Sequence, residues 1–535
     1  MKPVARPNEG PIAEALLNRN RWRFLGLTLD DLIRYFFNGN AVTAIVVLAL
    51  ITIFLFREGE GFFRQNASNL RIYRLAGLEY VDFIRRQVDA HTAIFRTLNS
   101  FRTAEFTELT AKGQSVEQAN AALAGFDKFA EAYGDSVSDV RGLLSDLTDS
   151  ASAIKQKQQI YLDRLEQKEM LLSAGKKAEA DAVKTAEVDF AKETAVLRGT
   201  FSAYAAANKD FAAKLSAALA AAPAEGSPAL LKSIEKVKRD TTQFAGTFPE
   251  IERQMQAWKH DAPIPFYKSI TSFLFGREWL TASFWQDWYG LIPLLVGSLL
   301  VSVIALIIAV PLGVSAAIYV SEIAGPREKN IVKPYIEFIS AIPSVVLGFF
   351  GIAVLGSALR NLSQISWLSW FPGFPMSERL NSLTAGALLA LMAVPTIFSL
   401  AEDALNNVPK HFKEASYALG ANRFQTIVRI LVPAALSGII SAILLGFGRV
   451  IGETMVVLLC AGNRIAIPDF TEGLGAFFQP VHTMTGIIAQ EMGEVVSGSI
   501  HYRALFMVGI VLFMLSLLIN FVAQKIVHRY RISIG

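Results

Sequence analysis

Apolar residues are spread unevenly along this chain, and that limits what it can fold into. After a first apolar run at 41–56 (AVTAIVVLALITIFLF), residues 57–286 hold no stretch long enough to cross a bilayer. Five further runs then follow, at about 290–319, 335–356, 382–404, 434–461 and 504–524. A helical span needs roughly 20 apolar residues, so the first run is short and Phe36 and Phe37 are expected at its interface. The 535 residues are 52% hydrophobic and 18% charged, with a mean hydropathy of +0.36. That is too apolar for a soluble chain of this size and too charged for one that is membrane throughout. The reading is all-α: six membrane helices with a large extramembrane insert between the first and second.

From about 85 to 260 the sequence is rich in Ala, Lys, Glu, Asp, Gln and Leu, with few prolines or glycines. Strong helix formers with apolar residues every three or four positions predict four or five long amphipathic helices. Breaks are expected near Gly113, Gly134, Gly175 and 222–228, giving an antiparallel bundle or coiled coil. The domain division is then 1–40 as an N-terminal segment, 41–56 as the first span, 57–286 as the insert and 287–535 as a core of five spans.

The basic residues set the expected orientation. Residues 1–40 carry Lys2, Arg6, Arg19, Arg21, Arg23 and Arg34. Arg327, Lys329 and Lys333 follow the second span, Lys410 to Arg429 the fourth, and Lys525, His528, Arg529 and Arg531 the sixth. With six spans all of these fall on one side, which places both termini in the cytoplasm and the insert outside. The forty mostly polar residues before the first run are too long for the n-region of a signal peptide, so that span is expected to stay as an anchor.

Two stretches carry chemistry. The first is basic and lies at 410–433. It reads as two short helices joined by a turn, with Gly420 at a left-handed position and Asn422 with Gln425 as an N-cap and capping box. Phe424, Ile427, Ile430 and Leu431 give the second helix an apolar side, and Pro433 opens the next span. A hairpin of this kind suits docking into a groove on a soluble partner. The second stretch is GFGRVIGET at 446–454. Arg449 and Glu453, four apart, are expected on one helix face. Gly448 and Gly452 form a G-x-x-x-G for close helix packing. Charges at membrane depth are costly, so the pair either faces a passing anion or is an ion pair locking two spans. A guanidinium fork fits an oxyanion, and the opposing carboxylate would let the anion leave.

The 410–433 stretch resembles the cytoplasmic coupling loop of ABC-importer permeases. That loop has the form E-A-A, three residues, G, nine residues, I-x-L-P, met here by Glu414, Ala415, Ser416, Gly420, Ile430, Val432 and Pro433. FLFGREW (273–279), GLIPLLVGSLLVSVIAL (290–306), AIPSVVLGFFG (341–351), GRVIGETMVVLLCAGN (448–463) and HYRALF (501–506) narrow it further. They resemble the PstC-type permease of the phosphate-specific ABC importer, over about half the chain. The resemblance implies an inner-membrane subunit that conducts phosphate past Arg449 and Glu453 and seats its coupling loop in an ATPase dimer. It also implies a PstA-type second permease and an extracytoplasmic phosphate-binding protein. Nothing in that family accounts for the insert, which is read as a dock for the binding protein, a sensor or an ornament.

Several classes are unsupported. No G-x-x-x-x-G-K-[ST] occurs, so a separate ATPase must supply the energy. The single Cys460 permits no internal disulfide. The six histidines lack metal-ligand spacing, His501 and Arg503 are read as interface anchors, and neither a cofactor nor nucleic acid is expected. Two rivals remain: a permease for another oxyanion such as molybdate or sulfate, and a receptor using the insert as its sensor.

Overall fold

The computed structural model describes residues 23–24 and 27–530, except 225, 282, 284, 369, 372 and 377. Most of the basic N-terminal residues, including Lys2, Arg6, Arg19 and Arg21, lie outside the described residues, as do Arg531 and the side chains of His528 and Arg529. The fold is all-α. Among the described residues the only β-ladders are the two-residue pairs Arg23–Phe24 with Leu27–Thr28 and Trp279–Leu280 with Trp288–Tyr289. Six helical segments are long and apolar enough to cross a membrane: Ile33–Leu75, Ile292–Ile323, Ser344–Ser363, Ser382–Asn406, Arg423–Ile451 and Ile500–Ile526.

Three span boundaries differ from the sequence reading. The first span is not short, because one helix runs Leu29–Glu60 and carries Phe36 and Phe37 within it. The expected span at 335–356 is really two elements. Pro326–Ile339 is a separate amphipathic helix bearing Arg327, Glu328, Lys329, Lys333 and Glu337. The true third span starts at Ser344, after the chain turns at Pro343 (φ −59°, ψ 137°). Proline disfavours helical geometry in the residue before it, so the apolar run straddles a break. The fifth span begins earlier and ends earlier than 434–461. It runs Arg423–Ile451, stops at Gly452, and leaves Met455–Cys460 as a separate short helix.

The membrane core is organised around Ile397, which is fully buried. A β-carbon on Gly313 of span two would stand 3.0 Å from Ile397, and one on Gly446 of span five 2.7 Å. Ile397 on span four therefore fills space that both neighbours leave by lacking side chains, the small-residue packing that lets membrane helices approach closely. Gly386 of span four does the same for Ile304 of span two, and Gly438 of span five for Ala404. Span one is peripheral. It touches span six through Phe54 and Phe506, with rings 5.7 Å apart, and through Gly59 beside Met507 and Ile510, while its central apolar window is exposed.

The insert stands on a neck of two helices, Phe62–Leu75 leaving the membrane part and Tyr267–Leu274 returning to it. Asn66 Nδ2 donates to the Ser269 carbonyl at 2.9 Å and to Ser272 Oγ at 3.1 Å, and Phe62 packs edge-on to Phe273. Above the neck are five long helices, Leu78–Ala111, Val116–Asp135, Ser138–Ser173, Phe201–Ala220 and Pro228–Ala245, with shorter ones between them. The chain turns at Gly113 (φ +89°), at Gly175 (φ +74°) and through 221–227, as expected, and also at Gly77 (φ +79°). The break expected near Gly134 is present as well, since one helix ends at Asp135 and the next begins at Ser138; Gly134 itself lies in the last turn, where a β-carbon would meet the Phe95 ring at 3.0 Å.

The bundle core mixes aromatic and polar groups. Tyr204 Oη donates to Gln87 Oε1 at 2.8 Å, Gln87 Nε2 to Asn208 Oδ1 at 2.6 Å, and Asn208 Nδ2 to Glu252 at 2.6 Å. Asp82 fastens the segment before span two to the insert. Its carboxylate accepts from Tyr73 and, at 2.8 Å, from Trp285 Nε1, while Arg85 lies 3.3 Å from it and over the Trp285 ring. Burial pushes the Asp82 carboxyl upward against the pull of these partners.

His91 is fully buried, its ring parallel to those of Tyr133 (4.9 Å) and Phe95 (6.4 Å), with Nε2 at 2.9 Å from the Tyr133 carbonyl and Nδ1 unpartnered. Nε2 is therefore the donor, and a second proton on Nδ1 would have no acceptor. Burial accordingly holds its pKa below the usual value. The sign follows: below about pH 6.5 the unfolded chain gains a proton that the folded one refuses, so stability falls as pH falls towards the folded value, by up to about 1.4 kcal/mol per pH unit. Hydrogen exchange in Leu78–Ala111 should speed up as pH drops below that point, after correction for intrinsic rates, and His91→Phe should remove the slope; an unchanged slope would place the sensitivity elsewhere.

Candidate functional site

The basic stretch folds as its local chemistry dictates. Helix Lys410–Ala418 ends with Gly420 at φ +83° and an Ala421 N–H to Ser416 carbonyl bond of 3.1 Å, a glycine-terminated turn. Asn422 Oδ1 accepts from the Gln425 N–H at 2.8 Å, and Gln425 Oε1 accepts from the Asn422 N–H at 3.0 Å, which closes the capping box. Ser416 and Thr426, both buried, tie the two helices through their hydroxyls at 2.9 Å. The apolar side divides. Ile427 and Leu431 are buried against the spans, whereas Phe424 (74% exposed) and Leu419 (89%) face outward. Ala415, Gly420 and Ile430 line a shallow groove of about 440 Å³ beside Leu419 and Arg429, and Glu414 is exposed at its edge. Pro433 is not the start of a span but sits within a continuous helix. A π-turn at Ile427–Leu431 precedes it, where the widened backbone accommodates a residue that has no N–H to give.

A residue the sequence reading did not single out anchors this stretch. Glu322 lies in a second π-turn, Tyr319–Ile323, at the end of span two. Its carboxylate, 9% exposed, pairs with Lys413, and Arg423 donates to the carbonyls of Glu322 and Ile323. Nearby, Lys333 reaches the buried Glu402 of span four at 2.9 Å. The hairpin is thereby fastened to spans two and five. An acidic residue flanking an apolar run was the only signal in the sequence, and its partner lies 91 positions away.

At the other end of span five, the expected shared helix face of Arg449 and Glu453 is absent. The helix ends at Ile451, so Glu453 falls in the break, and no ion pair joins the two. Gly452, a residue with little helix propensity, is the helix C-cap. Glu453 Oε1 instead accepts from the Met455 N–H at 3.1 Å, and its carbonyl accepts from Thr485 Oγ1 at 2.8 Å. Glu453 lines a void of about 10 Å³ together with Ser298, Ser302, Thr483 and Thr485. Arg449 is exposed, with a long 3.5 Å contact to Thr396. Gly448 and Gly452 do not pack a helix of this chain either: a β-carbon on Gly448 would meet nothing within 4 Å, and one on Gly452 only its own helix's carbonyls. This face of span five is open.

The segments around spans two and six converge. Trp279 Nε1 donates to Glu491 at 3.3 Å, and His501 Nε2 lies 2.7 Å from the same carboxylate, beside Tyr289. His501 is thus paired with Glu491 within the protein. Gly276 and Gly290 pass so closely that a side chain on either would strike the other's backbone. Arg503 spreads its guanidinium under Gly61, where the first span gives way to the neck.

Comparison with known proteins decides the family. Residues 309–532 match the family described as "Binding-protein-dependent transport system inner membrane component". A probable ABC transporter permease, YqgH of Bacillus subtilis (strain 168), is 35% identical over 275 residues, which cover 50% of this chain and 83% of that protein. The chain belongs to this permease family. The phosphate transport system permease PstC of Pasteurella multocida (strain Pm70) is 31% identical over 266 residues, covering 48% of this chain and 80% of its own length. That of Haemophilus influenzae is 30% identical over 276 residues, covering 49% and 84%. Among solved structures, the MetNI methionine ABC transporter in inward-facing form covers 45% of this chain and 94% of its own, at 20% identity and a TM-score of 0.31.

As an ABC-importer permease, the chain is a multi-pass inner-membrane transport subunit that works with a second permease, an ATPase and a substrate-binding protein. Among the described residues no group of His, Cys, Asp and Glu is placed to hold a metal ion. Glu322→Gln should free Lys413 and raise the hydrogen-exchange rate of Lys410–Ala418 by about tenfold, a loss of about 1.4 kcal/mol of local stability, with the exchange of span four unchanged. Equal protection in variant and parent would mean that the pair does not hold the hairpin.

Proposed function

We propose that this chain is the PstC-type subunit of an ATP-driven phosphate importer. The observation that carries the reading is the broken fifth span, which leaves the Arg449 guanidinium exposed, with Thr396 but no carboxylate in contact, on an open, glycine-bearing face within the membrane part. An arginine at membrane depth is retained where it meets a partner, a cavity or a pathway, and its planar fork matches a phosphate oxyanion. The sequence similarity to two PstC proteins supports phosphate over other oxyanions.

In this reading a PstA-type permease packs against the Gly448–Gly452 face and the pathway runs between the two chains past Arg449. Glu453 and its ring of hydroxyls lie next to the pathway at the break. Here the carboxylate does not neutralise Arg449 in the resting chain; it offers a weakly competing charge a turn away. The hairpin at 410–433, with Glu414, Ala415 and Gly420 at its groove and Phe424 and Leu419 exposed, seats in an ABC ATPase dimer. Glu322 and Lys413 carry the resulting movement into span two, and the continuous helix from Arg423 carries it into span five. Both termini and the hairpin are cytoplasmic, and the insert at 57–286 stands outside, where a phosphate-binding protein delivers its load. The division at 57 and 287 follows function, since the helix of span one itself runs on to Glu60.

The test is radiolabelled phosphate uptake by the assembled complex. Arg449→Ala should lower uptake by about a hundredfold, the loss of charge-assisted hydrogen bonds totalling roughly 3 kcal/mol, with subunit assembly intact, and Arg449→Lys should restore only part. Normal uptake by the Ala variant would make Arg449 structural.

A further inference from the structure

Where the insert meets the outer ends of the core spans, the two parts enclose a cleft of about 820 Å³. Arg96, Thr97 and Ser100 of helix Leu78–Ala111 form its insert side. Arg379, just before span four, and Arg464, just after helix Met455–Cys460, form its core side. We propose that this cleft is a second, weaker oxyanion site, an antechamber in which phosphate is held by guanidinium groups of both the insert and the core before it reaches Arg449. The inference rests on the reading of the chain as a phosphate permease and gives the insert a part in it.

The three arginines converge from separate segments, and none is in an ion pair among the described residues. Among the described residues the one hydrogen bond formed by their guanidiniums is from Arg379 Nη1 to the Ile352 carbonyl at 3.3 Å. Two carboxylates also line the cleft, Glu378 and Asp469. Asp469 is turned inward on its own loop, accepting from the Thr471 N–H at 2.9 Å and the Thr471 hydroxyl at 2.6 Å, with Lys236 of the insert near enough to favour its charge. The three guanidiniums thus have no carboxylate in contact among the described residues and can be shared by one ligand, while the Thr97 and Ser100 hydroxyls donate to the carbonyls of Ala93 and Thr97 in their own helix. Gly462 shapes the floor: at φ +88° it passes so close to Pro480 and the Leu380 carbonyl that a side chain would not fit.

The cleft is also in line with the broken span. Helix Met455–Cys460 starts two residues after Glu453 and ends two residues before Gly462. At 1.5 Å per residue only about 9 Å of helix separates Glu453 from the cleft floor. A concave, positively charged mouth concentrates anions at its base and does so less as salt rises. Exposed arginines in such a mouth hold an anion loosely, which is what an antechamber requires, because a tight site there would retain the ion it should pass on.

The experiment uses the full complex in nanodiscs without its binding protein, in an Arg449→Ala background so that only the cleft contributes. Equilibrium binding of radiolabelled inorganic phosphate at low ionic strength should be measurable and should weaken with added salt. Arg96→Gln should weaken it by about three- to tenfold and flatten the salt dependence, Arg464→Gln should do likewise, and Arg96→Lys should recover part. All three side chains lie at the surface, so loss of fold does not explain such a result. Unchanged affinity in both Gln variants, or no binding in the Arg449→Ala background although the wild-type complex imports phosphate, would overturn the antechamber alone. A wild-type complex that assembles and imports no phosphate would overturn the functional reading with it.

Discussion

The membrane part depends on one side chain seated against two absent ones. Ile397 of span four occupies the room left by Gly313 of span two and Gly446 of span five, so three helices meet at a point where none can shift without a clash or a void. Dispersion at such a contact is lost steeply with distance, and enlarging either glycine would force the helices apart. The centre is therefore fixed, and the freedom lies at the two ends. At one end span five continues into the hairpin through a π-turn; at the other it breaks at Gly452. Movement imposed on the hairpin has a rigid element to travel along and a break at which to act.

The insert is a folded body with its own core, yet it is not merely tethered. The Asn66 bonds and the Phe62–Phe273 contact make its neck a two-helix stalk, and Asp82 with Trp285 grips the chain just before span two. Movement of span two therefore meets a polar anchor in the bundle. A spacer joined by a loose linker would not need this. The arginine cleft lies on the same junction, so part of the chain that the family match leaves out is built against one end of the part that it covers.

What was legible in the sequence was local. Gly420 and the Asn422–Gln425 box were readable because a left-handed turn and a cap are decided by a few adjacent residues. The number of spans was readable because lipid requires long apolar runs. What failed depended on neighbours. The run at 335–356 hid the break at Pro343, because hydropathy does not register a turn. Arg449 and Glu453 were placed on one face by their spacing, but the helix stops between them at Gly452. Glu322 showed only as an acidic residue flanking an apolar run until the fold brought Lys413 and Arg423 to it.

The central claim is that this chain conducts phosphate, and substrate choice tests it most directly. The measurement is uptake of labelled phosphate by cells lacking their own importer and supplied with this chain and its partner subunits, in competition with sulfate and molybdate. The account predicts phosphate uptake that depends on the ATPase and persists in excess sulfate and molybdate. Assembled complex that ignores phosphate and imports either of the other oxyanions would contradict it.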